Sequence, residues 1–488
     1  MVDIGFGMSD ELPSKEDFSE WYNDLLFQAE IMDVRYPAKG VYVWFPFGQS
    51  LRNQVFNHLK MLHDESGHDE AGFPVLIPEG ILAKEAEHIE GFEDEVFWVT
   101  HGGESELDEK LALRPTSETP MYTMFDLWVR SHKDLPLKVY QVANIWRSET
   151  EHTRPLIRLR EITSFKEAHT AHETYEDADR QVSTALSLYD DFYSYLGVPY
   201  VITKRPSWDK FPGAEYTVAV DTLMPDGKAL QIGTAHNLGQ NFSQTFDVEF
   251  ETRDGNQDYV YQTSYGVSER SIAAVMSVHG DDKGLVLPSE VAPTQIKIIP
   301  ILFGDDENRE IMERCREVED ELQNAGYRVE VDDSDENPGA KYYDLELHGT
   351  PLRIEIGPRD LESESAVLVD RHGDEAEGDF NEIVDAVEHE LERFDTELKE
   401  EAQSGFDQNV YDVETVEEVK EVVGDGFAKT GWCGDTECGK KMEDDAGADM
   451  LGTPYSPDLE PVVDAEGREC ACRCGKDAET VVLFAKTY

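Results

Sequence analysis

Basic residues are scarce in this sequence: 43 Lys and Arg stand against 104 Asp and Glu among 488 residues, a formal charge of -61. A surface this negative keeps a chain in solution and says little about its fold. The excess is spread along the chain instead of sitting in one tail, the pattern of an adaptation to high salt. Long apolar runs are missing too, and none approaches the roughly 18 residues of a membrane span. The first residues, MVDIGFGMSDELPSKEDF, are acidic and lack the basic-then-apolar pattern of an export leader. A cytoplasmic chain with no membrane partner is expected. No internal repeat is visible, and the GxxxxGK(S/T) phosphate loop is absent. Cysteine is nearly missing before the end: Cys315 stands alone, whereas Cys433, Cys438, Cys470, Cys472 and Cys474 crowd the last 56 residues. In a reducing compartment such crowding points to metal before disulfides.

What is present divides into three regions. Residues 1–290 mix helical stretches with antiparallel strand signals, such as YTVAVDTLMPDGKALQIGTAH (216–236), two β-type runs around Pro225, Asp226 and Gly227 that read as a hairpin. Residues 291–402 alternate: QIKIIPILF is a buried strand, 305–325 helical, YRVEVDD a strand, 339–348 helical, PLRIEIG and AVLVD strands, and 380–400 a covering helix. Residues 403–488 form a small unit carrying the cysteines. The expected fold class is α+β and α/β, multidomain. The charged stretches 374–402 and 442–449 read as solvated faces.

Against the acidic background, residues 130–166 hold eight Lys or Arg and four Asp or Glu. VYQVANIW (139–146) and LIRLREITSF (156–165) are both strand-like, so two antiparallel strands joined by a long polar loop are expected. Strand period two then puts Arg147 and Glu149 on one face, and Arg158 and Arg160 likewise. A guanidinium grips phosphate bidentately, and a carboxylate two residues on accepts from an amine such as adenine's. The pair suits a nucleotide seat, and equally an exposed cross-strand ion pair. In YGVSERSIAAVMSVHGDDKG (265–284), Ile272, Val275, Met276 and His279 follow helical spacing, so a helix begins near Ser268 with Arg270 in its first turn. A cation there opposes the helix dipole unless an anion occupies that end.

WRSE (146–149) resembles motif 2, and GVSER (266–270) motif 3, of the class II aminoacyl-tRNA synthetases; the HIGH and KMSKS signatures of the other synthetase architecture are absent. The resemblance extends to LRPTSETPMY (113–122), RPLIRLREITSFKEAHTAH (154–172), IGTAHNLGQNFSQTF (232–246), VHGDDKGLVLP (278–288), PLRIEIGPRD (351–360), the cysteine cluster and Tyr488. In this combination it is similar to the archaeal and eukaryotic-like prolyl-tRNA synthetase family. What the resemblance implies is an antiparallel-sheet catalytic domain at 1–290, an α/β anticodon-binding domain at 291–402 and a zinc-binding C-terminal domain at 403–488. The spacing between motifs 2 and 3 leaves no room for an editing insertion.

The resemblance also implies roles. Arg147 would hold the ATP α-phosphate and the prolyl carboxylate, Glu149 the adenine side, Arg158 the outer phosphates and Arg270 the γ-phosphate, with Gln231, Thr234 and Ser268 completing the nucleotide contacts. Thr116 and Glu118 would receive the secondary amine of proline, His236 would close that pocket, and Phe165 would lie near the proline ring or the adenine. Taken as bare residues, Thr116 and Glu118 also suit a helix N-cap with a first-turn acid, and His236 a satisfied core histidine. Glu355, Arg359 and Arg371 carry the acceptor and donor chemistry that the guanines of a proline anticodon require, and also suit a strand end with a solvated ion pair. The family pattern selects Cys433, Cys438, Cys472 and Cys474 for structural Zn²⁺ and leaves Cys470 extra. Tyr488 would send its carboxylate toward the active site. Expected besides are Mg²⁺ with the ATP, tRNA(Pro) as partner, and a homodimer through 54–78, which resembles motif 1. Rival readings are a threonyl, seryl or histidyl enzyme, or a non-catalytic paralogue, which would show damaged motifs.

Overall fold

The structure is a computed structural model that describes residues 12–86, 96–149, 153–302 and 305–488. The first eleven residues and the centre of the arginine loop, 150–152, lie outside the described residues, and with them the reading of the acidic start.

An eleven-stranded sheet runs through the molecule. Its N-terminal part pairs Val201–Lys204, Tyr216–Leu223, Ala229–Gly239, Tyr261–Val267, Glu161–His172 and Leu137–Trp146, all antiparallel, with the short Asp69–Glu70 parallel at the far edge. Alternation assigns the two faces. Along Glu161–His172, Lys166 and Ala168 pack toward a helical layer, while Phe165, Glu167 and His169 face a cavity. The layer comprises Phe18–Gln28, Pro46–Glu65, Tyr175–Leu196 and Arg270–His279, whose apolar faces share one core with the sheet. Local chemistry bounds these helices: Thr174 caps Tyr175–Leu196 by accepting from the Asp177 amide, and Gly197 ends it in the left-handed conformation. The span between motifs 2 and 3 holds the helix Tyr175–Leu196, the 216–239 hairpin, the short helix Asn241–Thr245 and the strands Val201–Lys204, Glu249–Glu251 and Gln257–Tyr259.

Two expectations about strands are corrected. The second motif 2 strand begins only at Glu161; Leu156, at φ +61°, turns the chain sharply, and Arg154 and Arg158 bridge across that turn. Leu156, Ile157 and Leu159 are buried by tertiary packing, which from sequence looks like a strand. Likewise the first strand ends at Trp146, so Arg147 and Glu149 lie beyond it, joined by a bond from the Glu149 amide to the Arg147 carbonyl.

Residues 296–379 form a five-stranded sheet in the order Val329–Val331, Ile296–Pro300, Leu352–Ile356, Ser365–Asp370, Glu375–Asp379, the first three parallel and the last two antiparallel. Asp305–Asn324 and Ile383–Gln408 share its core. The edge strand Glu375–Asp379 falls in a stretch read as a solvated face, because EAEGD shows no apolar alternation. Within Ile383–Gln408 the buried positions Ile383, Val387, Leu391, Phe394 and Leu398 keep a helical stripe beneath the charge.

The strands of the cysteine-bearing unit do not stand apart. Asp449–Pro454 pairs with Val201–Lys204 through Thr453 with Lys204 and Pro454 with Thr203, so the C-terminal strands continue the N-terminal part of the sheet. Gly452 makes that seam: it sits at a bulge with φ +111°, and a Cβ there would overlap the Lys204 carbonyl. Gly452→Ala should therefore lower stability by about 2–4 kcal/mol, well beyond an ordinary surface change. A thermal midpoint within a degree of the parent in scanning calorimetry would contradict this account of the seam.

Candidate active site

The face of the sheet opposite the helices opens into a cavity of about 590 Å³. Every residue assigned from sequence to ATP or proline lines it: Thr116, Glu118, Arg147, Glu149, Arg158 and Phe165 from one side, Gln231, Thr234, His236, Ser268 and Arg270 from the other.

One end is cationic. Arg270 opens its helix and donates to the carbonyls of Ile157 (2.9 Å) and Gln231 (3.1 Å), which aims the guanidinium. Burial, with Arg147 and Arg158 beside it, pushes Arg270 down to about 10. Three guanidiniums facing one space repel each other until an anion arrives, and a polyanion relieves that repulsion. Arg147 donates to the Pro115 carbonyl (3.3 Å) and Arg158 to a main-chain oxygen of Tyr488 (3.3 Å), with the Glu149 carboxylate 4.0 Å from Arg158. The remaining arginines of the stretch are structural. Arg160 donates to the Glu149 carbonyl (2.9 Å), and Arg154 is boxed by the rings of Phe18, Tyr22 and Tyr488.

The other end is anionic. Glu118, 5% exposed, is the first residue of Glu118–Trp128 and accepts from the Thr116 hydroxyl. Thr116 is not the cap; Ser117 holds that position and spends its hydroxyl on Glu167. Ligand atoms of Glu118, Glu167 and His169 lie within 4.8 Å of one another, all buried. Burial raises both carboxyls, and the proximity of Glu118 raises Glu167 further. Burial pushes His169 down to about 4, so it is neutral, with Nδ1 2.9 Å from the Tyr122 hydroxyl. Two carboxyls and a neutral imidazole in a dry recess seek a small cation. His236, also neutral at about 3, bonds Thr217 (2.9 Å) and lies 4.7 Å from the Phe211 ring. Phe165 covers Gly266, where a Cβ would crowd the ring at 3.0 Å.

Sequence reasoning missed Glu167 and His169, although strand period two from Phe165 points to both. It also missed Phe211 and Trp208, which come from an irregular segment with no period to read, and Glu269. That last carboxyl is 1% exposed, accepts from the amides of Thr163 and Ser164, and is pushed up to about 7 by burial.

The candidate anticodon residues are not together. Glu355 is half-buried against Arg353 (2.8 Å), and Arg359 is exposed on the short helix Pro358–Ser363. Arg371 lies elsewhere: with its side chain 2% exposed, it donates to the carbonyls of Leu285 and Glu346 and to both oxygens of Asp281, tying this domain to the first one. Near the C-terminus the sulfurs of Cys433, Cys438 and Cys474 fall within 4.8 Å of one another, as do those of Cys470, Cys472 and Cys474, so Cys470 belongs to the cluster.

An antiparallel sheet carrying an arginine-walled cavity, with Arg270 at a helix start, defines a class II aminoacyl-tRNA synthetase core. The match is direct: residues 97–279 fit the family described as tRNA synthetase class II core domain (G, H, P, S and T), 295–390 the anticodon binding domain, and 416–488 the C-terminal domain of prolyl-tRNA synthetase. The chain is 55% identical to the proline-tRNA ligase of Methanosarcina mazei over 478 residues, 98% of each. Among solved structures it resembles the Giardia lamblia prolyl-tRNA synthetase in complex with prolyl-adenylate (TM-score 0.93, 36% identity, 99% of this chain and 100% of that one). It also resembles the Cryptosporidium parvum enzyme complexed with halofuginone and AMPPNP (TM-score 0.91, 35% identity, 98% and 99%). The chain belongs to the prolyl-tRNA synthetase family.

Glu269 yields a pH prediction. Its folded value, about 7, lies above the ordinary 4.5, so its contribution to stability is complete below 4.5 and is lost as pH rises through 7. Glu269→Gln should remove that loss, on the order of 2–3 kcal/mol, flattening the fall in unfolding midpoint between pH 5 and 8. Parallel pH profiles for parent and variant would refute it.

Proposed function

We propose that the cavity joins L-proline to ATP and passes the prolyl group to the 3′ end of tRNA(Pro). The carrying observation is the polarity of one cavity, with a buried Glu118–Glu167–His169 recess at one end and Arg147, Arg158 and Arg270 at the other. The secondary ammonium of proline sits against Glu118 and Thr116, its ring between Phe165 and the Phe211–His236 wall. Its carboxylate turns toward Arg147. The triphosphate lies along Arg147, Arg158 and Arg270, and the adenine toward Glu149, Gln231, Thr234 and Ser268.

No protein base is required. A carboxylate oxygen of proline attacks the α-phosphorus, the bond to the β-phosphate oxygen breaks, and pyrophosphate leaves with its charge held by Arg158 and Arg270. The terminal ribose hydroxyl of the tRNA then attacks the prolyl carbonyl and AMP leaves. Catalysis is positioning and charge stabilisation. Glu149, a carboxylate lining the same cavity, would help hold a Mg²⁺ brought with ATP, which would supply further charge neutralisation.

The same reading covers the other domains. The anticodon-binding domain presents Glu355 and Arg359 to the tRNA, while Arg371 is engaged with Asp281 at the seam between domains. The sulfur cluster has the donor chemistry for Zn²⁺, held by Cys433, Cys438, Cys472 and Cys474, a closed structural site. Pairing of two chains through the helix Pro46–Glu65 and the edge strand Asp69–Glu70 is supported by Met61, Val75, Leu76, Leu127 and Trp128, large apolar side chains left exposed nearby. The acidic surface is read as an adaptation to high salt, where a Debye length of about 3 Å at 1 M mutes repulsion of tRNA. Among the described residues no helix is long and apolar enough to cross a membrane, in keeping with a cytoplasmic place.

Amino-acid-dependent pyrophosphate exchange across a panel tests the assignment: proline should support exchange, and threonine, serine and histidine should not. In the same assay Glu118→Ala should raise the KM for proline by roughly two to three and a half orders of magnitude while leaving ATP nearly untouched, since an ammonium stranded in a buried site costs about 3–5 kcal/mol. An unchanged proline KM would remove Glu118 from the site. For the metal, Cys472→Ser should lose zinc and Cys470→Ser should keep it, counted per chain by elemental analysis. The reverse pattern would put Cys470 among the four.

A further inference from the structure

We infer that the cysteine-bearing unit is a working part of the proline end of the cavity, through a socket on that unit that holds Trp208. This rests on the reading of the cavity as the site of proline activation.

The segment 205–212 forms one wall of the cavity, with Arg205, Trp208 and Phe211 all lining it. It has no regular secondary structure beyond turns, so its shape depends on what its side chains hold. Two of the three hold the C-terminal unit. Arg205, with a side chain 5% exposed, is braced on Asp221 (2.9 and 3.0 Å) and donates to the Leu451 carbonyl (2.9 Å). Trp208 donates its indole N–H to the Glu443 carboxylate (3.0 Å) and meets the Trp432 ring edge to face, centroids 5.8 Å apart. Its far edge lies over Gly439 so closely that a Cβ there would overlap the ring. The third, Phe211, carries the wall to substrate: its ring faces His236, and Thr217 accepts from the Phe211 amide while bonding His236.

The socket is built next to the sulfur cluster. Trp432 precedes Cys433 and Gly439 follows Cys438, and Gly439 and Glu443 lie one turn apart on Thr436–Ala446. Gly439 is otherwise a poor choice: alanine inside a helix gains about 1 kcal/mol over glycine. What glycine permits here is the approach of Trp208. Gly439 and Glu443 are positioning residues, acting on proline through Trp208 and Phe211.

Gly439→Ala separates this role from a structural one, since on helix propensity alone the variant is as stable as the parent or more so. It should push Trp208 aside and raise the proline KM about tenfold, with ATP KM within twofold, in line with the cost of a small misplacement at a site. Trp208→Ala should act in the same direction. In the Trp208→Ala background Gly439→Ala should add nothing, because the ring it displaces is gone. The readout is proline- and ATP-dependent pyrophosphate exchange on full-length chains, with thermal midpoints to register folding. Parent kinetics in Gly439→Ala, equal losses for proline and ATP, or multiplying effects in the double variant would each overturn the inference. A parent chain inactive with proline would overturn instead the assignment of the site.

Discussion

An antiparallel sheet offers two faces, and in this molecule the rest follows from giving each a single task. Helices cover one face, and the residues pointing there, including Val218, Val220, Ala235, Tyr265 and Val267, are apolar and buried. The alternate residues of the same strands are then left for the cavity, and they are the polar and aromatic ones that ligands need. Lys166 shows how strictly the alternation holds. Its register places it on the helical side, fully buried, between the rings of Tyr189 and Tyr265, and burial drives its ammonium well below its usual range. A one-residue slip would exchange Lys166 with Glu167 and destroy both the core and the recess.

The scarcity of positive charge sharpens the site. Where acids outnumber bases by more than two to one, arginines held in the wall by backbone carbonyls create a local positive potential for a polyanion. The fixing bonds matter as much as the charge. Arg270 is aimed by Ile157 and Gln231, and Ile157 is placed by the turn at Leu156, so the apparent strand 156–160 serves better as a turn than it would as a ladder. The division of labour within the stretch, with Arg154 anchoring Tyr488 and Arg160 steadying Glu149, uses cation–π and carbonyl contacts that do not depend on bulk charge.

Legibility from sequence follows the same physics. The 216–239 hairpin, the helix after Ser268 and the alternating elements of 296–370 were readable because period and turn chemistry agree there. The residues lining the cavity were readable through motif resemblance, even though the strand argument for Arg147 and Glu149 fails beyond Trp146. The sequence neighbours of Arg371 resemble a strand end at a surface; only the fold reveals that Asp281, 90 positions earlier, lies opposite it. The continuity of the sheet between 201–204 and 449–454 was likewise invisible, since pairing across 250 positions leaves no local trace apart from a glycine.

Both ends of the cavity therefore lean on other domains. The phosphate end is set by the helix Arg270–His279, about 15 Å long. Two residues past its last turn, Asp281 takes both donors of the buried Arg371, while the Asp281 carbonyl accepts from Trp21 (2.9 Å). Parting the domains at this point would strip the guanidinium of its carboxylate and of the Leu285 carbonyl, leaving it the Glu346 carbonyl of its own domain. The proline end is set by 205–212, braced on the cysteine-bearing unit. A cavity made on a rigid sheet would be indifferent to distant domains; this one has its two least regular walls, a helix start and an irregular loop, fastened to them. The rigidity that positions proline and ATP is thus a property of the three domains together, and the core sheet supplies only the floor.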